Sequence, residues 1–218
     1  MTMSKSLEYL RFLEQTPNVT NSDFVPVVID NVFTDSQIAS IYSQLEIADD
    51  SKTQIKPFAG HKVWQRRFGP EVEKAIRDVA ISVTGTQMML NGDYSFTRYS
   101  PEYGYECKLF PHYDTRHSQR LTVDVQLNYD EDWKVIVEEQ EFLLKYNQAL
   151  VFTGTQQIHW REKKKLKPSS RIDMLLSHLS YHPSLPYDNN QVAVLEERSR
   201  FLMELYDFNN KEEVYAYE

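Results

Sequence analysis

The residues of this chain best suited to chemistry lie in Lys108-Leu-Phe-Pro-His112-Tyr-Asp114, and they gain meaning from His159, forty-five residues past Asp114. His112 and Asp114 are two apart, so at the end of a strand both side chains leave the same face. A second imidazole brought in from a distant strand completes two histidines and one carboxylate around a metal. Such a set occupies one face of an octahedral ion, leaves the opposite face open, and suits oxygen chemistry at non-haem Fe(II). The same donors could instead hold zinc with an activated water, which would make the site hydrolytic. A lone buried histidine or aspartate is usually structural. The ordered set carries the reading, because a His-x-Asp pair by itself recurs by chance.

The elements that must position these side chains fall into two parts. Ser6 to Gln15 reads as a short amphipathic helix, and Phe24 to Asp30, broken by Pro26, as an edge strand. Thr34 with Gln37 forms a capping-box signal for a helix that buries Ile38, Ile41, Tyr42 and Leu45. Gly69-Pro70 opens another helix, with Val72, Ala75, Ile76, Val79 and Val83 inward, and Gly85 ends it. From residue 87 onward short strands take over. They are expected at 88–90, 94–99, 106–110, 120–129, 135–137, 141–144, 149–152 and 171–181. The fourth of these segments alternates: Leu121, Val123, Val125 and Leu127 on one face, Thr122, Asp124, Gln126 and Asn128 on the other. Strands of this length and spacing favour a sandwich or a barrel-like jelly roll. Residues 191–208 close the chain as a helix. The expectation is one domain over 1–218: mainly helical support in 1–86, the strand core in 87–182, and a C-terminal helix in 190–208.

Composition narrows the function classes. A chain of 218 residues suits one domain, and 41% hydrophobic with 26% charged residues is ordinary for a globular protein. Fourteen Tyr and eleven Phe favour sheet over a helical bundle. The single cysteine, Cys107, excludes an intrachain disulfide and a cysteine-based zinc site, and reads as a small buried residue. No signal peptide is legible in Met1 to Gln15, and no apolar run approaches the roughly 20 residues that span a bilayer. A cytoplasmic protein with no membrane partner is expected. The formal charge of −8 argues against a broad nucleic-acid surface. Two basic groups stand out: Lys56, Lys62, Arg66 and Arg67, and Arg161, Lys163, Lys164, Lys165 and Lys167 just past His159. Such runs are usually solvated loops, and the second could also steer an anionic substrate.

The order of motifs is Arg98-Tyr99-Ser-Pro on a strand, then His112-x-Asp114, then Leu121-Thr-Val-Asp-Val-Gln-Leu-Asn128. Ala149-Leu-Val-Phe-Thr-Gly154 leading into Ile158-His159 follows, and Arg171 comes last. That order, over about residues 96–181, resembles the Fe(II)/2-oxoglutarate-dependent dioxygenases, particularly the prolyl-4-hydroxylase-like branch. The resemblance implies an α+β fold: a double-stranded β-helix, or jelly roll, with supporting N-terminal helices and a C-terminal helix. It implies that His112, Asp114 and His159 hold Fe(II), with 2-oxoglutarate and O₂ as co-substrates at the open positions. It implies Arg171 as the clamp for the distal carboxylate of 2-oxoglutarate, a task a guanidinium performs bidentately, with Tyr99 assisting by a hydrogen bond. The activity implied is hydroxylation of an unactivated C–H bond in a small molecule, an amino acid or a peptidyl side chain.

The chain departs from the family in three places. His159 and Arg171 are twelve apart, a little more than usual, and the insert is the basic run ending at Pro168. Trp133-Lys-Val-Ile-Val-Glu-Glu-Gln-Glu-Phe142 stands where Gly-Gly-Glu-Leu is frequent. Asp173 shares the face of Arg171 and offers that arginine an internal ion pair instead. Retention of Asp114 favours hydroxylation over halogenation in the terms of the family. Ser177 stands where its nucleic-acid demethylases carry a second arginine. The strand after His112-x-Asp114 offers Thr122 where histone-demethylase-like members place a lysine. His117, three past Asp114, reads as an accidental neighbour rather than a substrate contact, and His61, His178 and His182 carry no motif. Two other classes compete with an oxygenase: a His₂Asp zinc hydrolase and a non-catalytic jelly-roll binding module. The first lacks a general base near the ligands; the second sits poorly with an intact triad. Neither the primary substrate nor the oligomeric state is legible.

Overall fold

A computed structural model describes residues 24–47, 53–56, 59–90, 94–104, 106–112, 114 and 121–180, and isolated positions between 193 and 204. The helix expected over 6–15 lies outside the described residues. Of the helix expected over 191–208, Ala193, Glu196, Glu197, Arg200, Phe201 and Glu204 are helical, and the other positions lie outside the described residues.

Two helices support the sheets. Helix α1 spans Asp35–Glu46 behind the expected capping box: Gln37 N–H donates to Thr34 Oγ1 at 3.3 Å and Thr34 N–H to Gln37 Oε1 at 2.8 Å. Such a box satisfies two otherwise orphaned donors, and an N-cap of this kind contributes about 1 kcal/mol. Helix α2 spans Pro70–Thr84, starts at its proline, and stops at Gly85, whose φ of 68° is left-handed and favours glycine. Ile41 and Ile76 are wholly buried beneath these helices. Burial of one such side chain stabilises by about 1.5–3 kcal/mol.

Twelve strands form among the described residues: β1 Val27–Ile29, β2 Thr53–Lys56, β3 His61–Arg66, β4 Met89–Leu90, β5 Tyr94–Tyr99, β6 Cys107–His112, β7 Leu121–Gln126, β8 Val135–Val137, β9 Gln140–Phe142, β10 Gln148–Phe152, β11 His159–Lys164 and β12 Ile172–Ser180. The larger sheet runs β1-β10-β7-β12-β5-β3-β2, with β4 also on β12; the smaller runs β6-β11-β8-β9. Every pairing is antiparallel. The result is a jelly roll with helices on its outer face, the double-stranded β-helix that the motif order implied.

The two faces of the larger sheet divide the core. Val123, Val125, Ala149, Val151, Leu175 and Leu179 pack with Ile41, Val72 and Ile76 of the helices. Leu150, Phe152, Ile172 and Met174, one residue out of phase, pack with Val135 and Val137 of the smaller sheet. The alternation read in β7 is the same division, since side chains on a strand change face at every step. Between the two helices the described residues also contain strands that the sequence did not announce. β2 and β3 form a hairpin that pairs with β5, in register from His61 opposite Tyr99 to Arg66 opposite Tyr94. The sequence of β3, His-Lys-Val-Trp-Gln-Arg, is too polar to announce a strand. Trp64 nonetheless packs edge-on against Phe96 with ring centroids 5.5 Å apart, and that cross-strand contact fixes the hairpin.

Candidate metal centre

His112 ends β6, His159 begins β11, and the two stand directly opposite each other in the register of the smaller sheet. Their ring centroids are 4.2 Å apart. Asp114 follows β6 by two residues and is held by its backbone N–H, which donates to the Gly154 carbonyl at 3.0 Å. One histidine thus comes with its own strand and the carboxylate is tied back to the loop after β10. The ligand-capable atoms of His112, Asp114 and His159 lie within 4.8 Å of one another. Asp114 Oδ1 is 3.2 Å from His159 Nε2 and 3.8 Å from His112 Nε2, so one oxygen and two nitrogens converge on a single point.

The ring orientations are fixed by the backbone. His112 Nδ1 lies 2.7 Å from the Phe110 carbonyl and His159 Nδ1 lies 3.2 Å from the Gln157 carbonyl, each two residues back. A carbonyl oxygen only accepts, so Nδ1 must carry the hydrogen in both rings and Nε2 presents its lone pair. Outer partners that set the tautomer of a ligating histidine are what a metal site requires. The second carboxylate oxygen is held too: Asp114 Oδ2 accepts from Thr122 Oγ1, and His178 Nδ1 lies 3.6 Å away.

The charge states suit a cation. Burial, together with the second imidazole, brings His112 down to about 4, so it is neutral at physiological pH. Burial works to raise Asp114, but His159 and His178 outweigh it and hold the carboxyl well below the usual range. Burial also works to lower His159, and Asp114 outweighs that and raises it. A buried carboxylate against two imidazoles is a donor set that a divalent ion satisfies.

The cavity in front of these atoms is lined by Tyr99, Leu109, Asp124, Val135, Leu144, Arg161, Met174, Leu176 and His178 besides the three metal-binding candidates. Leu109 and His112 both face it although they are three apart, because β6 bulges: His159 pairs with His112 but Arg161 with Leu109. Pro111, which has no N–H to give a ladder, sits in that bulge. Tyr99 is 3% exposed, and its ring meets Trp133 edge-on at 4.9 Å. Burial raises its hydroxyl above the usual phenol range, so it remains a donor. Asp124 Oδ1 is buried and has no hydrogen-bond partner among the described residues. Burial, with the Asp114 carboxylate, pushes its carboxyl up to about 7.

Arg171 stands elsewhere. It precedes β12, in which Met174, Leu176 and His178 face the cavity while Asp173 and Leu175 face the helices. Arg171 shares the phase of Asp173: its Nε is 3.4 Å from Asp173 Oδ2, and its guanidinium lies over Tyr42 of α1 at 5.9 Å. Asp173 is fully buried and also accepts from Arg98 at 2.7 and 2.9 Å and from the Tyr42 hydroxyl at 3.0 Å. Tyr99, opposite Ile172, has the other phase, so Tyr99 faces the cavity and Arg171 does not.

Four residues that line or shape the site were given no site role from the sequence. His178 is in phase with Met174 and Leu176, a signal that appears once the strand's inner face is known. Asp124 was visible as the polar phase of β7. Gly154 has no side chain to read: a Cβ there would stand 1.7 Å from Asp114 Oδ2 and 2.3 Å from Thr122 Oγ1. Arg161 belonged to a basic run that divides in space. Arg161 is buried in the cavity, whereas Lys164 sits 3.5 Å from Glu131 at the surface and the Lys167 N–H donates to Glu131 at 2.7 Å. Cys107 is buried, as expected, and its thiol donates to the Gly60 carbonyl at 3.4 Å. No helix among the described residues is long and apolar enough to cross a membrane.

No protein-family model matches the sequence, and no curated protein matches it. Solved structures do resemble the fold. The epimerase SnoN from nogalamycin biosynthesis, described as non-haem and alpha-ketoglutarate dependent, superposes with a TM-score of 0.58 at 10% identity, over 84% of this chain and 86% of its own. The collagen prolyl hydroxylase of Paramecium bursaria Chlorella virus 1, solved with 2-oxoglutarate, gives 0.52 at 13% identity, over 72% and 96%. HygX of Streptomyces hygroscopicus, solved with nickel and 2-oxoglutarate, gives 0.51 at 11% identity, over 82% and 87%. At such identities the likeness is one of fold. The chain has the double-stranded β-helix shared by these proteins.

Proposed function

We propose that the protein is an Fe(II)- and 2-oxoglutarate-dependent oxygenase that hydroxylates an unactivated C–H bond of a small molecule, an amino acid or a peptidyl side chain. One observation carries this reading. Two imidazole Nε2 atoms, each with its Nδ1 hydrogen committed to a backbone carbonyl, and one carboxylate oxygen converge inside a jelly roll. His112, Asp114 and His159 hold the metal in this account, while Thr122 and His178 keep the free Asp114 oxygen in place. Bound iron with 2-oxoglutarate and O₂ supplies oxidative decarboxylation, which yields succinate and CO₂ and delivers one oxygen atom to the substrate. Val135, Leu144, Met174 and Leu176 give the open side of the site an apolar wall that limits water. Tyr99 contributes an un-ionised hydroxyl to the co-substrate's part of the cavity.

A zinc hydrolase needs a general base beside the metal-bound water. The remaining carboxylate in the cavity, Asp124, is pushed up to about 7, and its charged neighbours include Arg161. A carboxyl raised to about 7 is matched to general-base work near neutral pH, so the hydrolase has to be tested directly. Metal exchange separates the readings. Chelator-stripped protein refilled with Fe(II) should convert 2-oxoglutarate to succinate and CO₂ only in the presence of O₂. Refilled with Zn(II), it should retain the metal and form no succinate. O₂-independent hydrolysis by the zinc form contradicts the proposal.

A further inference from the structure

We infer that Arg161, on the metal-binding strand itself, is the cation that receives the distal carboxylate of the co-substrate, and that Asp124 faces the same subsite. The inference rests on the reading of the cavity as a 2-oxoglutarate site.

Arg161 is two residues past His159 on β11, so both side chains leave the strand on one face, and both line the cavity. Two residues of strand advance about 6.6 Å. That step suits a five-carbon dicarboxylate with one end at the metal. Arg161 is 2% exposed and has no ion-pair partner among the described residues. The atoms in contact with it are neutral: Nη1 donates to the Trp133 carbonyl at 2.5 Å, Nη2 lies 3.6 Å from Met174 sulfur, and the group stacks 4.9 Å from the Trp133 ring. Burying a charge whose direct contacts are all neutral is costly, and an incoming anion in contact with it relieves that cost. The buried tyrosine Tyr99 lies beside it, on the same Trp133 ring. Arg171, by contrast, has its carboxylate already in Asp173 and faces the helices.

Asp124 is the other half of the subsite. Its Oδ1 is a buried acceptor without a donor, and it interacts electrostatically with Arg161. As a carboxylate it opposes an incoming dicarboxylate. Removing its charge without changing its shape therefore favours binding.

The test is calorimetric binding of 2-oxoglutarate and of 2-oxopentanoate to the Mn(II)-loaded protein without O₂. The second ligand has the same chain length and lacks the distal carboxylate. The wild type should prefer 2-oxoglutarate by at least ten-fold. Arg161→Met, which keeps most of the packing, should lose that preference while binding Mn(II) normally, and Arg161→Lys should restore part of it. Asp124→Asn should bind 2-oxoglutarate several-fold more tightly. Arg171→Ala should keep the wild-type preference. A preference retained in Arg161→Met and lost in Arg171→Ala overturns the assignment, as does weaker binding in Asp124→Asn. If the wild type binds Mn(II) but neither oxoacid, the oxygenase reading fails first and takes this one with it. If Arg161→Met no longer binds Mn(II), the side chain is a structural support and the assignment is overturned.

Discussion

Replacing His159 by alanine should abolish Fe(II) binding and all turnover of 2-oxoglutarate while leaving the fold in place. The ring is one of two imidazoles at the metal point, with Nε2 3.2 Å from Asp114 Oδ1 and Nδ1 committed to the Gln157 carbonyl. Its removal leaves one imidazole and one carboxylate, a pair that cannot cap a face of the ion. The fold should survive because the ring stands at a cavity wall rather than between packed helices. It touches Phe152 edge-on at 4.8 Å, and the ladder of β11 to β6 and β8 is made by the backbone. Loss of the ring also relieves Asp114 of a buried partner, which moves its pKa back upward. Circular dichroism and a thermal melt should show a folded protein, and equilibrium dialysis should show no bound iron. Wild-type iron affinity in this variant removes His159 from the metal set.

Gly154→Ala should weaken metal binding about 10–100-fold, the cost typical of disturbing a ligand's outer support. The effect is steric and local. The new methyl would stand 1.7 Å from Asp114 Oδ2, 2.3 Å from Thr122 Oγ1 and 2.8 Å from Asp114 Cγ. Real contacts require more than 3 Å, so the carboxylate must move. It is the free end of a side chain and can rotate at little cost to stability. What it cannot do is rotate and keep Oδ1 at the metal with Oδ2 on Thr122. The expected variant is folded, melts within a few degrees of the wild type, and binds Fe(II) poorly. Unchanged iron affinity would mean that Asp114 sits differently when the metal is bound.

Much of this site was legible before any coordinates, for reasons that differ by residue. His112 and Asp114 announced themselves because their spacing of two matches the period of a strand, and His159 because two histidines and a carboxylate form a recognisable donor set. The capping box of α1 and the proline start of α2 were legible because helix ends are written in local chemistry. Tyr99 and Arg171 needed something the sequence does not state, namely which phase of each strand faces inward. Pairing of Ile172 with Tyr99 and of Asp173 with Arg98 settles the phase. It turns Tyr99 to the cavity and Arg171 to the helices. Arg161 was hidden by its company, since a buried arginine and four surface lysines look alike in a basic run. Its burial follows from the strand phase of His159. The hairpin of β2 and β3 was hidden by polarity: the partner that buries Trp64 is Phe96, thirty-two residues on, in β5.

Visible absorption without O₂ tests directly whether His112, Asp114 and His159 hold an iron ion that chelates 2-oxoglutarate. Protein, Fe(II) and 2-oxoglutarate together should give a charge-transfer band that is absent from every pair of the three and saturates at one iron per chain. The band should be missing in His159→Ala. A wild-type protein that binds Fe(II) and stays colourless at saturating 2-oxoglutarate contradicts the account.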